Sequence, residues 1–278
     1  MTDQRQRLFA HYQLGETTIF SAPDNRFSYC LYVPRQLEQE NLAGTRLLVA
    51  IHGTGRMQTQ YRELFAEFAE YHNCIVVAPL FPANVLGDGN LSGYKYLLEG
   101  DIRYDQVLLE ITRTVAATYG VSDKKMMLFG FSGGAHFVHR FLMLHPHRVS
   151  AASIGAPGVV TLLDPAKEWW LGIADTEQHF DIQVDPNAVS GMPIHLAVGG
   201  ADTETWEITV EADDAYYMPG INDSGDTRLE RLQSLKASLE HYGAKVRLDI
   251  VEGETHNVAP IAQFSKAFFR DVILGRYS

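Results

Sequence analysis

Runs of apolar residues alternate along the chain with segments whose apolar residues recur every three to four positions. The runs Arg46–Ile51 and Cys74–Pro79 are apolar almost throughout, as strands are when both faces of a parallel sheet are covered. Between them, Gln58–Tyr71 has the apolar spacing of an amphipathic helix. This alternation predicts an α/β fold with a mostly parallel central sheet and helices on both faces.

The same pattern continues to the end of the chain. Further strands are predicted at Thr17–Phe20, Phe27–Val33, Met126–Phe131, Val149–Ile154, Pro193–Val198 and Lys245–Val251. Further helices are predicted at Ile102–Tyr119, Gly133–Leu144, Thr227–Tyr242 and Ala259–Leu274. A polar arm precedes the first strand, and Arg35–Gly44 is predicted to be a loop. Because no repeat, low-complexity tract or linker marks a boundary, we expect residues 1–278 to form a single domain.

Three long segments lack a clear period: residues 80–100, 159–191 and 201–226. Loops of this length are uncommon in compact domains and often act as lids or binding loops. All three follow the carboxyl ends of predicted strands, which is the edge where open α/β sheets bind ligands. We therefore expect them to be insertions over that edge, with 159–191 and 201–226 as the candidate lids.

Charge and composition exclude some classes of partner. The formal net charge is −11, which argues against general binding to nucleic acid or to an anionic membrane, since both are polyanions. No apolar run approaches the roughly 18 residues of a membrane span. Cys30 and Cys74 lie in separate predicted strands without metal-like spacing, which favours buried thiols. The N-terminus has no apolar leader pattern, so we predict a cytoplasmic protein.

A candidate nucleophile lies where one of these strands meets the next helix. Gly130-Phe131-Ser132-Gly133-Gly134 fits the G-x-S-x-G pattern of a nucleophile elbow, and it follows an apolar strand and precedes a helix as that motif requires. Small residues around the serine let the backbone turn sharply and present the hydroxyl. The alternative is a glycine-rich turn with a capping serine. We predict that Ser132 is a nucleophile.

A serine nucleophile needs a base within hydrogen-bond reach and an acid that orients the base. After a nucleophile elbow, the partners follow in the order serine, acid, histidine. His256 lies in a polar loop just past a strand, whereas His241 is near the end of a helix, so His256 is the predicted base. Asp202 shortly follows the strand Pro193–Val198 and is the predicted acid. Its rivals are Glu204, Asp175 and Asp181.

Acyl transfer also needs backbone N–H donors for the negative charge that develops on the carbonyl oxygen. The first candidate is the residue after the nucleophile, Gly133. The second should come from His52-Gly53-Thr54-Gly55, which follows the strand ending at Ile51. We select Thr54, with Gly53 and Gly55 remaining open.

Other residues that could carry chemistry are histidines and aromatics. His136 and His139 share a helix face, but no neighbouring carboxylate or cysteine completes a metal-ligand set, so no metal is predicted. Four aromatic residues of the irregular segments could line a substrate pocket or simply pack the lids. These tentative substrate-binding residues are Trp169, Trp170, Trp206 and Tyr216.

Together these motifs resemble the α/β-hydrolase superfamily over roughly Phe27 to Leu274. The residues that carry the resemblance are the His52-Gly53-Thr54-Gly55 loop, the Gly130–Gly134 elbow, Asp202 and His256. The extended form Gly-Phe-Ser-Gly-Gly-Ala also looks like members related to polyhydroxybutyrate depolymerases and feruloyl-type esterases. The serine separates the chain from relatives that use aspartate or cysteine at this position.

The resemblance implies a serine hydrolase that cleaves a carboxylic ester of a small or medium substrate through an acyl-enzyme, without a cofactor. A second hypothesis keeps the triad but cleaves an amide, peptide or carbon–carbon bond. A third is a non-catalytic binding protein on a hydrolase fold, because one fold hosts many functions. The expected partner is a small-molecule ester, with neither nucleic acid nor membrane.

Overall fold

An eight-stranded sheet crosses the computed structural model, which describes residues 13–37, 42 and 44–277. The strands, in chain order, are β1 (Gly15–Ser21), β2 (Ser28–Val33), β3 (Arg46–Ile51), β4 (Cys74–Leu80), β5 (Leu98–Glu99), β6 (Ile102–Arg103), β7 (Met126–Phe131), β8 (Val149–Gly155), β9 (Pro193–Gly199) and β10 (Lys245–Val251). β5 and β6 form a separate hairpin, and the others lie side by side in the order β1-β2-β4-β3-β7-β8-β9-β10. Within this sheet, only the described pairs β1–β2 and β2–β4 are antiparallel, so the predicted mostly parallel sheet is confirmed.

Helices flank this sheet in the described part of the chain. They are α1 (Gln58–Leu64), α2 (Ala66–His72), α3 (Gly93–Tyr96), α4 (Tyr104–Tyr119), α5 (Gly133–Leu144), α6 (Thr176–Phe180), α7 (Arg228–His241) and α8 (Val258–Ile273). The predicted polar arm lies largely outside the described residues, as does much of the predicted Arg35–Gly44 loop.

Two of the predicted helices differ from the observed ones. The single helix predicted over Gln58–Tyr71 is interrupted at Phe65, which is fully buried with its ring centroid 4.8 Å from that of Phe129. The helix predicted from Ile102 begins two residues later, because Ile102 and Arg103 pair with the preceding strand as a hairpin. Periodicity marks the apolar faces correctly but does not reveal where the backbone leaves the helix to place one of those residues.

The long segments also hold more structure than their sequences indicate. Residues 80–100 contain α3 and β5, and residues 159–191 contain α6 and a short 3₁₀ helix. Residues 201–226, all of which the structure describes, contain neither helix nor strand. The buried Arg231 on α7 holds this last segment by donating hydrogen bonds to the carbonyl oxygens of Gly225, Ile208 and Gly158. The segment is therefore tied both to α7 and to the chain that follows β8.

Parallel strands deliver the predicted site residues to one edge of the sheet. Thr54 follows β3, Ser132 follows β7, Asp202 follows β9 and His256 follows β10. β3 is adjacent to β7, and β9 is adjacent to β10, so residues far apart in sequence meet at the carboxyl ends of these strands.

No helix in the described residues is long and apolar enough to cross a membrane. Cys30 and Cys74 are both buried and not disulfide-bonded. The cytoplasmic location and the single-domain organisation stay predictions.

A buried carboxylate connects α4 to the end of α5, the helix that starts at the elbow. Asp105 is fully buried and accepts hydrogen bonds from Arg103 (2.9 and 2.8 Å) and from His145 Nε2 (2.8 Å). Burial would raise the pKa of Asp105, but the hydrogen bonds from His145 and Arg103 outweigh it and lower the pKa to about 2.

Replacing this carboxylate should destabilise the fold. Asp105→Asn leaves Arg103 and His145 without their charged acceptor, and we expect the free energy of unfolding in urea to fall by about 3 kcal/mol at neutral pH. Because the folded-state pKa is depressed, the contribution of Asp105 is full above its unfolded pKa of about 3.9. The difference between the wild type and the variant should therefore shrink as the pH falls from about 4 towards 2.

The matched control is Asp101→Asn, since the Asp101 side chain is 83% exposed and lies 3.8 Å from Arg26. We expect this change to alter stability by less than about 0.5 kcal/mol. Equal effects of the two substitutions would contradict the role given to Asp105.

Candidate active site

Ser132 occupies a strained backbone position between β7 and α5. Its φ is 55° and its ψ is −120°, a region that non-glycine residues rarely adopt and that costs about 1–3 kcal/mol. The strained turn is held from outside, because the Ser132 N–H donates to the carbonyl oxygen of Gly155 on the neighbouring strand (2.8 Å). The turn leaves the Ser132 side chain partly exposed in a cavity.

The elbow needs glycine for close packing. A Cβ on Gly134 would lie 2.2 Å from the carbonyl oxygen of Ile51, and one on Gly130 would lie 2.2 Å from that of Gly134. No side chain fits at such separations, so the backbone of α5 packs directly against the backbones of β3 and β7. This contact brings the loop after β3 next to the start of α5.

His256 and Asp202 form a hydrogen-bonded pair beside this turn. His256 Nδ1 lies 2.7 Å from Asp202 Oδ2, and the His256 ring packs on Phe131, with 4.6 Å between the ring centroids. The Asp202 side chain is 1% exposed, and that of His256 is 27% exposed. An ionised carboxylate only accepts hydrogen bonds, so Nδ1 carries a proton and Nε2 is the ring nitrogen that can act as a base.

The turns that carry these two residues are tied to each other. The N–H groups of Gly200 and Ala201 donate to the carbonyl oxygens of Val251 and Glu254, both at 2.8 Å. Backbone hydrogen bonds between the two turns therefore fix how Asp202 faces the His256 loop. The rival acid Glu204 is exposed, and Asp175 pairs with His179 instead.

Arg228 is a member of the site that sequence reasoning missed. It is buried, and its guanidinium donates to Asp202 Oδ1 (2.8 Å) and to Glu207 (2.7 Å). Burial would raise the pKa of Asp202, but the hydrogen bond from His256 and the charge of Arg228 outweigh it, so that the pKa lies below its usual value. Asp202 therefore stays ionised at neutral pH.

The signal for Arg228 was present only in part. Thr227 and Glu230 form a capping box that fixes the first turn of α7, and this predicts the helix start. The pattern gives no reason to select an arginine at the first helical position. Near a helix N-terminus a cation is unfavourable, and here two carboxylates offset that cost.

The loop after β3 is held by its own histidine. Nε2 of the buried His52 accepts a hydrogen bond from the Phe81 N–H (3.0 Å), so Nδ1 carries the proton and donates to the Gly53 carbonyl oxygen (2.8 Å). Burial lowers the pKa of His52 to about 4, which keeps the ring neutral as this pattern requires. His52 lies within the loop motif of the sequence, which gives no indication of this role.

The two predicted oxyanion donors lie close together. A Cβ on Gly133 would be 3.1 Å from the Thr54 backbone nitrogen, and the Tyr94 hydroxyl fills the space beside them. No described residue accepts a hydrogen bond from either amide N–H. The first N–H groups of a helix have no partner within the helix, and Gly133 is the first residue of α5. This pair of amides can bind an anionic oxygen.

His136 and His139 act as fixed acceptors for backbone amides. His136 Nε2 accepts from the N–H of Gly158 (2.8 Å) and of Val159 (3.2 Å), and His139 Nε2 accepts from the Thr161 N–H (2.9 Å). Burial and the nearby Arg140 hold the pKa of both rings well below the usual value, so both stay neutral. They attach the chain after β8 to α5. Among the described residues, no cluster of three or more His, Cys, Asp or Glu could hold a metal ion.

A cavity of about 790 Å³ opens over these groups. Ser132, His256, Thr54 and Gly133 line it, together with Trp206 and Tyr216. Trp206 is 73% exposed. Trp169 and Trp170 are not among the lining residues. They pack behind it, with Trp169 donating to the carbonyl oxygen of Tyr96 and Trp170 to that of Tyr216.

A second Ser–His–Asp array lies within the sheet. Ser153 Oγ is 2.8 Å from His195 Nδ1, and His195 Nε2 is 3.1 Å from Asp249. These residues occupy β8, β9 and β10, and Ser153 and His195 are fully buried. None of the three lines the cavity, so a substrate there does not reach them.

Comparison with known proteins shows what fold this is. No family model matches the chain, and no curated protein matches it. Among solved structures, poly(aspartic acid) hydrolase-1 from Sphingomonas sp. KT-1 is similar, with a TM-score of 0.72 and 22% identity over 91% of this chain and 97% of that one. The poly(3-hydroxybutyrate) depolymerase LpqC from Bordetella parapertussis has a TM-score of 0.75 and 19% identity over 97% and 94%. An S-formylglutathione hydrolase from Agrobacterium tumefaciens has a TM-score of 0.55 and 15% identity over 95% and 99%. With the sheet order and the elbow described above, these likenesses show that the protein has the α/β-hydrolase fold.

Proposed function

We propose that this protein is a serine hydrolase that cleaves a carboxylic ester through an acyl-enzyme at Ser132. The observation that carries the proposal is the 2.7 Å contact between His256 and the buried Asp202, beside a cavity that also exposes Ser132. The similar solved structures are named as hydrolases, esterases and a depolymerase, which supports the same class of reaction.

In the proposed reaction, Nε2 of His256 accepts the Ser132 hydroxyl proton while Oγ bonds to the ester carbonyl carbon. The negative charge that develops on the carbonyl oxygen is stabilised by the Thr54 and Gly133 amides. The imidazolium then gives its proton to the alkoxide oxygen as the carbon–oxygen bond breaks and the alcohol leaves. A water molecule, deprotonated by His256, attacks the acyl-enzyme and releases the acid and Ser132.

Asp202 stabilises the imidazolium in both steps. His256 and Arg228 together keep Asp202 ionised, and Arg228 occupies Oδ1, so that Oδ2 remains directed at His256. The cavity volume of about 790 Å³ lies within the usual range for small-molecule sites. We therefore propose a small or medium ester rather than a macromolecule threaded through the site.

Two alternatives use the same site. The same groups could cleave an amide or a carbon–carbon bond, or the protein could bind a ligand without catalysing any reaction. Assays on an ester, the matching anilide and a vinylogous diketone separate these alternatives. Turnover of the ester at the highest kcat/KM supports the proposal, and turnover of none of the three favours a binding protein.

The nucleophile is tested with Ser132→Ala. Removing the hydroxyl removes the acyl-enzyme route, and we expect kcat for p-nitrophenyl butyrate to fall by roughly 10⁶-fold. The measurement is the steady-state rate of p-nitrophenolate release at saturating ester concentration. Turnover by the variant at the wild-type rate would refute the assignment.

The control is Ser153→Ala, which alters the buried Ser–His–Asp array instead. We expect the free energy of unfolding to fall by about 1–2 kcal/mol, because His195 loses a polar neighbour in the core. Turnover per folded molecule should stay unchanged.

The acid is tested with Asp202→Asn. The amide is uncharged and can place its NH₂ group against Nδ1, which favours the tautomer with the proton on Nε2 and removes the base. We expect kcat/KM for the same ester to fall by about 10³- to 10⁴-fold.

The matched control is Glu204→Gln, since Glu204 lies two residues away and is exposed. Its kcat/KM should equal that of the wild type. If Glu204→Gln were the more damaging change, the acid would have been misassigned.

A further inference from the structure

Lys95 on α3 lines the cavity without a carboxylate partner. Its Nζ lies 3.2 Å from Ser92 Oγ, and no described carboxylate oxygen lies within ion-pair distance of it. Lysine in a partly buried position is normally paired, because desolvating an ammonium ion is costly. An unpaired ammonium group facing a cavity is therefore a candidate ligand-binding group.

A second cation lies beside Lys95 and does not neutralise it. Arg140 on α5 is fully buried, and its guanidinium donates to the Lys95 carbonyl oxygen (2.6 Å) and to Thr161 Oγ1 (2.8 Å). Its centre lies 4.5 Å from the centroid of the Tyr96 ring. One terminal nitrogen of Arg140 has no hydrogen-bond partner among the described residues. Lys95 on the cavity wall and the buried Arg140 behind it, with no described carboxylate paired to either, give this wall a positive potential.

The other charged groups of the cavity do not cancel this potential. Arg56 lines the wall as a third cation, with its guanidinium donating to the carbonyl oxygens of Phe81, Thr54 and Leu91. Glu207 is paired with Arg228, which also binds Asp202.

One acidic group acts on Lys95 from the rim. Asp214 lines the cavity, is exposed, and lies outside ion-pair distance of Lys95. It favours the charged form of Lys95 only from a distance. Screening by water weakens an exposed charge of this kind.

We propose that Lys95 binds a carboxylate group of the substrate, so that the ester cleaved at Ser132 belongs to a molecule that carries one free carboxylate. This inference rests on the proposed ester hydrolysis and specifies its substrate class. The carboxylate belongs either to the acyl chain or to the alcohol, and both would place an anion against the same ammonium group.

The protonation of Lys95 is consistent with such a ligand. Burial, together with the charges of Arg56 and Arg140, lowers the pKa of Lys95 to about 8. A bound carboxylate favours the protonated form and would raise that pKa. A substrate carboxylate would therefore be the counter-ion that Lys95 lacks among the described residues.

The net charge of the protein favours a substrate with one free carboxylate over a substrate with many. With a formal net charge of −11, the protein repels a polyanion at long range, whereas a short anionic molecule is attracted only once it is inside the cavity. The cavity volume of about 790 Å³ also suits a molecule of that size.

Two matched substrate pairs test the proposal. For the acyl side, the pair is the p-nitrophenyl half-ester of glutaric acid and the p-nitrophenyl ester of glutaric acid monoamide. For the alcohol side, it is meta-carboxyphenyl acetate and meta-carbamoylphenyl acetate. We expect the wild type to prefer the charged member of at least one pair by roughly 10- to 100-fold in kcat/KM.

Lys95→Gln should abolish this preference while kcat/KM for the neutral member stays unchanged, which shows that the variant is folded and catalytically competent. Lys95→Met provides a second variant should the first be unstable. Lys124→Gln, at an exposed lysine in the loop before β7, is the matched control and should retain the wild-type preference. A charged-to-neutral ratio near one in both wild-type pairs, or a preference that survives both Lys95 substitutions, would overturn the proposal.

Binding to an inactive enzyme separates this proposal from the proposed reaction. In a Ser132→Ala background, calorimetry should show that Lys95→Gln raises the dissociation constant of glutarate or meta-hydroxybenzoate by about tenfold or more. If these anions bind through Lys95 but the wild type hydrolyses no ester, the proposed function fails and the anion site stands. If neutral esters are hydrolysed but the affinity for neither anion depends on Lys95, the proposed anion site is wrong and the proposed function stands.

Discussion

The site depends on one buried carboxylate whose two oxygens are both engaged. Asp202 accepts a hydrogen bond from Arg228 on one oxygen and from His256 on the other. Its side chain is almost entirely buried. An isolated carboxylate in that position would take up a proton rather than stay charged. The hydrogen bond from His256 and the cation of Arg228 together keep it ionised, and the ionised carboxylate in turn sets the tautomer of His256. The orientation of a base at the cavity wall thus originates in the first turn of α7.

Neutral histidines give the surroundings of the site their rigidity. His52, His136 and His139 are all buried, and burial prevents each from becoming charged. A neutral imidazole offers one acceptor, and in each ring that acceptor receives backbone N–H groups from another segment of the chain. These contacts hold the loop after β3 and the chain after β8 in place while leaving the Thr54 and Gly133 amides free to bind an oxygen.

Much of the arrangement could be predicted because it follows from local pattern and from topology. Apolar runs identify buried strands, and parallel strands place Ser132, Asp202 and His256 at one sheet edge. Arg228 could not be found in this way, since it acts through contacts with residues 201–226, which lack periodicity. The position of Lys95 at the cavity depends on the fold of residues 80–100, which lack periodicity as well. The interruption at Phe65 has the same origin, because tertiary packing against Phe129 overrides a continuous helical pattern. Trp169 and Trp170 show the limit of composition, since an aromatic residue in a long loop packs behind a cavity as readily as it lines one.

If the proposed function is correct, Ser132 is the one serine that its surroundings activate. Peptide mapping by mass spectrometry, after the wild-type protein reacts with a fluorophosphonate, tests this most directly. We expect a single phosphonylated residue, Ser132, formed at stoichiometric yield at neutral pH. An adduct at Ser153 or at any other residue, or a protein that remains unmodified, would contradict it.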